Sequence, residues 1–591
     1  MWLQSLAEVV ALGLALQFPH FVNAQTSSDW KLSDSPPRDL FLRRAHARVA
    51  VLGNYAYIDG GEMSQLAADG KPIQNRGSNA VNSTLSIDLS QSWTASNVTI
   101  RIIEKPITGM DGQAMWKNEG LKTFFIWGGH IPYGGKIGPA ESWKFEADGK
   151  GGGEWVTESP ANPSLFSELR RNEDGAFVST PDAGFWFGGL ASAWTNPNAY
   201  VQAVPGVLSY NMTTKVWTNE TTPGFSAFSK YGTMIGGGGV YIPTFGDNGL
   251  IVVMGGCLYT LEPSQKGPYG WMDFSNLTFY DPITKDWYWQ QTTGNAPTPR
   301  RGFCSVGAEG KNGTYEIFVF GGTNTETGST FDDVFVLSLP GFVWTQVQYQ
   351  SKNLRRYHNC AVVGRRQMLS VGGTDGITGW SGADPWPNGL GIFDMTDLKW
   401  KSDYDTNAED YETAKSIQDW YQNSGVNSVK WSSERVQKVF TKATSSNGSS
   451  EENPSSGTDK TPGANDNNNN LDGESQNRLS TAVIAGVVVG AVLGSIMVAA
   501  AFWFIRRRKQ KSLAAATVRG EEPGVNPYYE PILPGELPSQ PSRTELYGGP
   551  GSEDGSSSNG PKVEMMGSHG HHFTVAELDA HQYQDEERLR K

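Results

Sequence analysis

An apolar run that closes on a pair of glycines recurs six times in this chain, at residues 55–61, 124–129, 185–189, 251–256, 317–322 and 368–373. Behind each pair come a loop, a second short apolar run and then, in most units, a tryptophan. Clear cases are Leu85-Ser86-Ile87-Asp88 with Trp93, Leu208-Ser209-Tyr210-Asn211 with Trp217, and Leu277-Thr278-Phe279-Tyr280-Asp281 with Trp287. Residues 334–339 with Trp344, and Ile392-Phe393-Asp394 with Trp400, repeat the arrangement. The second unit is the weakest, with Trp143 and Phe145 followed by Trp155 after a glycine-rich insertion.

A unit of this kind reads as a four-stranded antiparallel sheet. Its first strand runs into a tight turn, as at Asp247-Asn248-Gly249 or Val363-Gly364-Arg365, a hairpin-forming composition. The second strand ends at the double glycine, where a missing Cβ permits positive φ and close backbone approach. The third strand ends near Asp or Asn, and the fourth carries the tryptophan. Such a sheet cannot bury both of its faces, so the units are expected to stack radially into a ring. With 70 glycines and 67 Trp, Tyr and Phe in 591 residues, composition also favours an all-β fold with many turns.

The double glycines with spaced aromatics resemble the kelch repeat over residues 40 to about 400. Arg44-Ala45-His46 and Arg356-Tyr357-His358 look like the Arg/His element on a kelch inner strand. The resemblance implies a kelch-type β-propeller of six blades. A seventh blade, built from the segment after Trp400 and the first strand, is the alternative. Successive glycine pairs lie 51 to 68 residues apart, longer than typical kelch units, so the loops are enlarged.

Residues 481–505 hold no charge, and Arg506-Arg507-Arg508-Lys509-Gln510-Lys511 follows at once. Twenty-five helical residues reach roughly 37 Å, enough to span a hydrocarbon core of about 30 Å. The expected membrane helix is residues 479–505, with its basic end in the cytosol. Residues 1–24 read as a cleaved signal peptide, with Val22-Asn23-Ala24 before the cut, although no Lys or Arg precedes the apolar core. Residues 25–440 would then be a propeller ectodomain, and 441–478 a disordered Ser/Asn/Gly-rich stalk. Two short helices, at 414–422 and 432–440, are expected to pack under the ring. Residues 506–591 would be a disordered cytoplasmic tail. This layout looks like a fungal kelch-repeat single-span membrane protein, of type I topology and plasma-membrane location.

Asn-x-Ser/Thr glycosylation signals occur at Asn82, Asn97, Asn211, Asn219, Asn276, Asn312 and Asn447, all before the membrane segment. Net charge is −13, and the tail after Ile505 carries only −2 of it. An acidic ectodomain repels nucleic acid and anionic lipid, which excludes both as ectodomain partners. Three cysteines, Cys257, Cys304 and Cys360, are too few for a disulfide framework. Buried thiols are the expectation, with a single bridge between the repeat-matched Cys304 and Cys360 as the alternative.

The long loops, 62–84, 130–141, 190–204, 257–275 and 374–388, should emerge on one face of the ring. They carry the candidate ligand-binding residues His130, Tyr133, Trp194, Tyr269, Trp271, Trp380 and Trp386, since exposed aromatics suit sugar rings and protein hot spots. The expected ligand is an extracellular glycan or protein. No catalytic or metal-binding residue and no cofactor is assigned. A copper radical oxidase is the enzymatic alternative. It needs two His and two Tyr on the metal, and the ectodomain offers only His46, His130 and His358. A third reading is a scaffold acting through the tail, where Pro531-x-x-Pro534 and Tyr528-Tyr529 suit an adaptor. Gly486, Gly490 and Gly494 lie on one face of the membrane helix and would allow homodimerisation.

Overall fold

The computed structural model describes residues 32–73, 77–132, 135–136, 138–196, 199–220, 233–259, 261, 270–349 and 353–441. The residues expected to form the signal peptide, the membrane segment and the tail, and all of the expected stalk but Thr441, lie outside them, with Asn447, Gly486, Gly490 and Gly494, as do Tyr133 and Tyr269. Among the described residues no helix is long and apolar enough to cross a membrane.

Six sheets with four long antiparallel strands each follow one another along the chain, and sheet five adds the short parallel strand Thr293–Gly294. Sheet one runs from Arg48–Leu52 to Ile100–Glu104, sheet two from Ala114–Asn118 to Gly153–Thr157, and sheet three from Ala176–Ser179 to Trp217–Glu220. Sheet four runs from Gly238–Ile242 to Trp287–Gln291, sheet five from Cys304–Glu309 to Val343–Gln346, and sheet six from Asn359–Val363 to Lys399–Lys401. The first strands pack beside one another in sequence, and that of sheet six returns to that of sheet one. The arrangement is all-β and propeller-like, with few helices.

Six apolar clusters form the core, one between each pair of adjacent sheets. Alternate residues of each strand face opposite sides, so one strand supplies two layers. In sheet two, Phe124 and Ile126 face sheet one, while Phe125 and Trp127 face sheet three. Trp217 and Trp344 on fourth strands are buried in these layers, with Trp400 partly so. Trp93 departs from the expectation. The fourth strand of sheet one is Ile100–Glu104, without a tryptophan, and Trp93 instead pairs with Tyr404.

The glycine pairs are the joints of the ring. In every sheet the second glycine donates its N–H to a carbonyl at the entry of the next: Gly61 to Met110, Gly129 to Asn172, Gly189 to Met234, Gly256 to Arg300 and Gly322 to Arg355, at 2.7–3.0 Å. Gly373 donates to Arg44 at 2.6 Å, which joins sheet six to sheet one. Both members hold positive φ. At the closing joint, a Cβ on Gly372 would stand 2.5 Å from the Arg44 carbonyl oxygen, closer than any side chain tolerates. The double glycine is therefore demanded by backbone contact on both sides.

Among the described residues no seventh four-stranded sheet follows sheet six. Residues 403–404 make a short pairing with Trp93 and Thr94, and the chain then runs across the edges of sheets five and four. Helix Lys415–Asn423 buries Ile417 against sheet five, and helix Glu434–Thr441 buries Val436 and Phe440 among Phe245, Phe279 and Phe342. Buried Glu316 on sheet five anchors this strap by accepting hydrogen bonds from Tyr411 and Thr413, each at 3.2 Å. Cys304 and Cys360 are not separate thiols. They form a disulfide between the first strands of sheets five and six, because neighbouring inner strands bring their Cα atoms to 5.6 Å. Cys257 is buried and outside this bridge.

Candidate functional site at the mouth of the axial channel

Each inner strand is preceded by one residue in left-handed backbone: His46, Gly112, Asp174, Gly236, Gly302 and Tyr357, with φ between 55° and 70°. These residues form a belt around the axis. His46 N–H donates to Tyr357, Tyr357 to Gly302, Gly302 to Gly236, Gly236 to Asp174, and Gly112 to His46, all at 2.7–3.1 Å. The belt rims a channel of about 440 Å³ lined by the inner strands of all six sheets. Glycine occupies half of the belt. At the other half the strained φ is held by side-chain-bearing residues, a condition that persists only where the surroundings enforce it. His46 stacks on Tyr357, ring centres 4.7 Å apart.

Charge gathers at this mouth, chiefly from sheets two and three. His130 directly follows the glycine pair of sheet two, and its backbone exchanges both hydrogen bonds with Asp111. Its Nε2 lies 3.4 Å from Asp111 Oδ2, and its Nδ1 contacts a Glu173 carboxylate oxygen. Burial opposes its charge, but Glu173, then Asp111 and Asp174, outweigh burial and lift its pKa to about 10. Asp111 is pushed well above the usual carboxyl range by burial and by the neighbouring Glu62. Asp174 goes the other way: against burial, Arg301, at 2.9 Å, with His46, His130 and Arg48 holds it low. His46 falls to about 3, first through burial and then through His130.

Chemically, the mouth gathers the His130 imidazole and the carboxyl groups of Asp111, Glu173 and Asp174 within one rim. His46, His130 and Tyr357 share the rim, with His46 and His130 5.9 Å apart. His358 also lines the channel, with its ring buried against Phe320. The two Arg/His triplets are also one residue out of step: Arg44 corresponds to Arg355, and His46 to Tyr357.

Of the candidate ligand-binding residues, the structure brings His130 to the rim. Trp386 lies beneath the Arg355 guanidinium, 3.7 Å from its ring centre, and packs on Trp400. Trp271 donates to Glu326 at 2.9 Å. Trp380 lies against Gly77, and half-buried Trp194 accepts from Ile131 at 3.0 Å through its carbonyl. The exposed apolar side chains on the long-loop face are others: Tyr200 at 84 %, Ile377 at 77 % and Val201 at 64 % exposure. No sequence pattern distinguishes them from ordinary loop residues. The rim does leave a trace, as a charged residue before glycine at Asp111-Gly112, Asp174-Gly175 and Arg301-Gly302. Among the glycosylation signals, Asn82, Asn97, Asn219, Asn276 and Asn312 are exposed, and Asn211 is half-buried with its side-chain oxygen accepting from Thr213 and Thr214.

Comparison with known proteins agrees with this geometry. Residues 242–413 match the KLHDC2/KLHL20/DRC7 Kelch-repeats domain. Over those residues the chain is similar to a kelch-repeat domain. A Kelch repeat-containing protein of the fungus Arthroderma benhamiae (strain ATCC MYA-4681 / CBS 112371) is 23 % identical over 414 residues, covering 63 % of this chain and 58 % of that protein. The chain thus spans little more than half the length of this relative.

Proposed function

We propose that residues 25–440 form a closed six-bladed kelch propeller, displayed outside the cell by a type I single-span glycoprotein, whose long-loop face recognises another protein. The observation that carries this reading is the exposure of Tyr200, Val201 and Ile377 on loops that follow second strands. In an up-and-down blade these loops share the face of the channel mouth. Exposed aromatic and aliphatic side chains around a charged centre are the composition of a protein-binding patch. A glycan platform is less favoured, because the tryptophans that would form it are engaged in loop packing.

The direct test uses full-length protein on cells, crosslinked to its surface neighbours. Tyr200→Ser with Ile377→Ser is expected to lose a neighbour that the wild type captures, while expression and glycosylation stay unchanged. An unchanged set of neighbours, or glycan-array binding indifferent to both substitutions, contradicts the assignment.

A further inference from the structure

On the opposite, short-turn face, one glycosylation signal borders a cleft. Asn312, in the turn between the first two strands of sheet five, lines a cavity of about 280 Å³ together with Pro340, Gln418, Tyr421, Gln422 and Val426. One wall is sheet five and the other is the strap helix Lys415–Asn423. We propose that the cleft seats the first sugar of an N-linked glycan on Asn312, and that this sugar clamps the strap to the ring. The proposal rests on the lumenal reading of the ectodomain.

The lining suits an N-acetylhexosamine. Asn312 is exposed and so open to attachment. Tyr421 has its hydroxyl held by Ser338, at 3.0 Å, and by the Gly341 N–H, at 3.1 Å. Its half-buried ring, with Pro340 and Val426, gives apolar surface for sugar C–H groups. Gln418 and Gln422 supply amides for hydroxyl and acetamido groups. Attachment requires a lipid-diphosphate-linked oligosaccharide as donor. Asn312 Nδ2 bonds to sugar C1 and gives up a proton, the C1–O bond to the diphosphate breaks, and the lipid diphosphate leaves.

The third residue of the signal sets an order of events. Thr314 is 7 % exposed, and its hydroxyl lies 3.1 Å from that of Thr413 on the strap. Its hydroxyl is accessible to the transfer enzyme only before the strap docks. The sugar is thus added to an open cleft, and the strap then closes over it.

The test compares full-length wild type, Asn312→Gln and Asn219→Gln from the native cells. Glycopeptide mass spectrometry gives occupancy, and limited proteolysis gives the cleavage rate within residues 405–441. Asn312 is expected to be occupied, and Asn312→Gln to be cut there roughly fivefold or more faster, with Asn219→Gln like wild type. Trimming the wild-type glycan to its first sugar should leave the rate unchanged, and removing that sugar should reproduce the variant without depending on how the variant folds. Glycans at other signals with Asn312 bare, or an occupied Asn312 whose loss changes no rate, overturns the clamp alone. Absence of glycan from every signal overturns the lumenal reading and the clamp together.

Discussion

At the position whose carbonyl receives the glycine N–H, sheets five, six and one carry Arg300, Arg355 and Arg44, whereas sheets two, three and four carry Met110, Asn172 and Met234. In the first arc the arginine is a buried anchor. Arg355 pairs with Asp384, both fully buried, and Arg300 pairs with Asp333 and lies over Phe331. The second arc holds the same backbone geometry with no such anchor, and its charge is at the axis, in Asp111, His130, Glu173 and Asp174. The joint therefore depends on the paired glycines, and the side chain beside it is exchangeable. The arc without arginine anchors is the one that builds the polar rim.

That contrast can be broken at several points. The largest effect is expected for Arg355→Met, which leaves Asp384 buried without its partner and should cost about 3–5 kcal/mol in urea unfolding. Met110→Leu, at the corresponding place in the other arc, should cost less than about 1.5 kcal/mol. Equal costs would mean that the arginine is no anchor. Next, only the first arc has a covalent staple. Removing it with Cys304→Ser and Cys360→Ser should lower stability by about 2–4 kcal/mol, and a variant as stable as wild type in the same urea titration would show that packing alone holds sheets five and six.

Smaller costs sharpen the shared part of the scheme. Gly61→Ala and Gly373→Ala, one joint in the ring and its closure, should each lose about 1–3 kcal/mol, since both glycines have positive φ and a backbone neighbour in the way. A large loss at one and none at the other would separate the arcs in backbone as well as side chain.

The rim gives the mildest effect and a pH signature. His130 has its pKa raised from 6.5 to about 10, so its stabilisation is fully present below 6.5 and disappears as pH rises toward 10. His46, lowered from 6.5 to about 3, does the reverse, and its contribution is lost as pH falls from 6.5 toward 3. His130→Gln should therefore lower Tm at pH 6–7 and flatten the alkaline limb, for a cost of about 1–2 kcal/mol given its partial exposure. A Tm profile parallel to that of wild type would remove His130 from the charge cluster.

The ring was legible in the sequence because its joints require glycine wherever they occur, and strand alternation follows from two-sided burial. Sheet one's fourth strand was not legible. Ile100–Glu104 is mostly exposed and lacks an aromatic, so the nearest tryptophan, Trp93, stood in for it. The disulfide was visible only as an alternative, since it depends on the relative register of two inner strands 56 residues apart. The rim was harder still. His130 is a loop residue by sequence, and the partners that define it, at 46, 111, 173, 174 and 301, converge only through ring closure. The loop tryptophans show the converse: residue type suggested a surface platform, and packing assigned Trp386 to an arginine stack.

Amide hydrogen exchange at the second glycine of each pair tests ring closure most directly. Gly61, Gly129, Gly189, Gly256, Gly322 and Gly373 all donate across a joint, so all six should be protected, with Gly373 in the same range as the other five. Fast exchange at Gly373 beside slow exchange at the others would describe an open row of sheets, and would contradict both the closed ring and the rim built upon it.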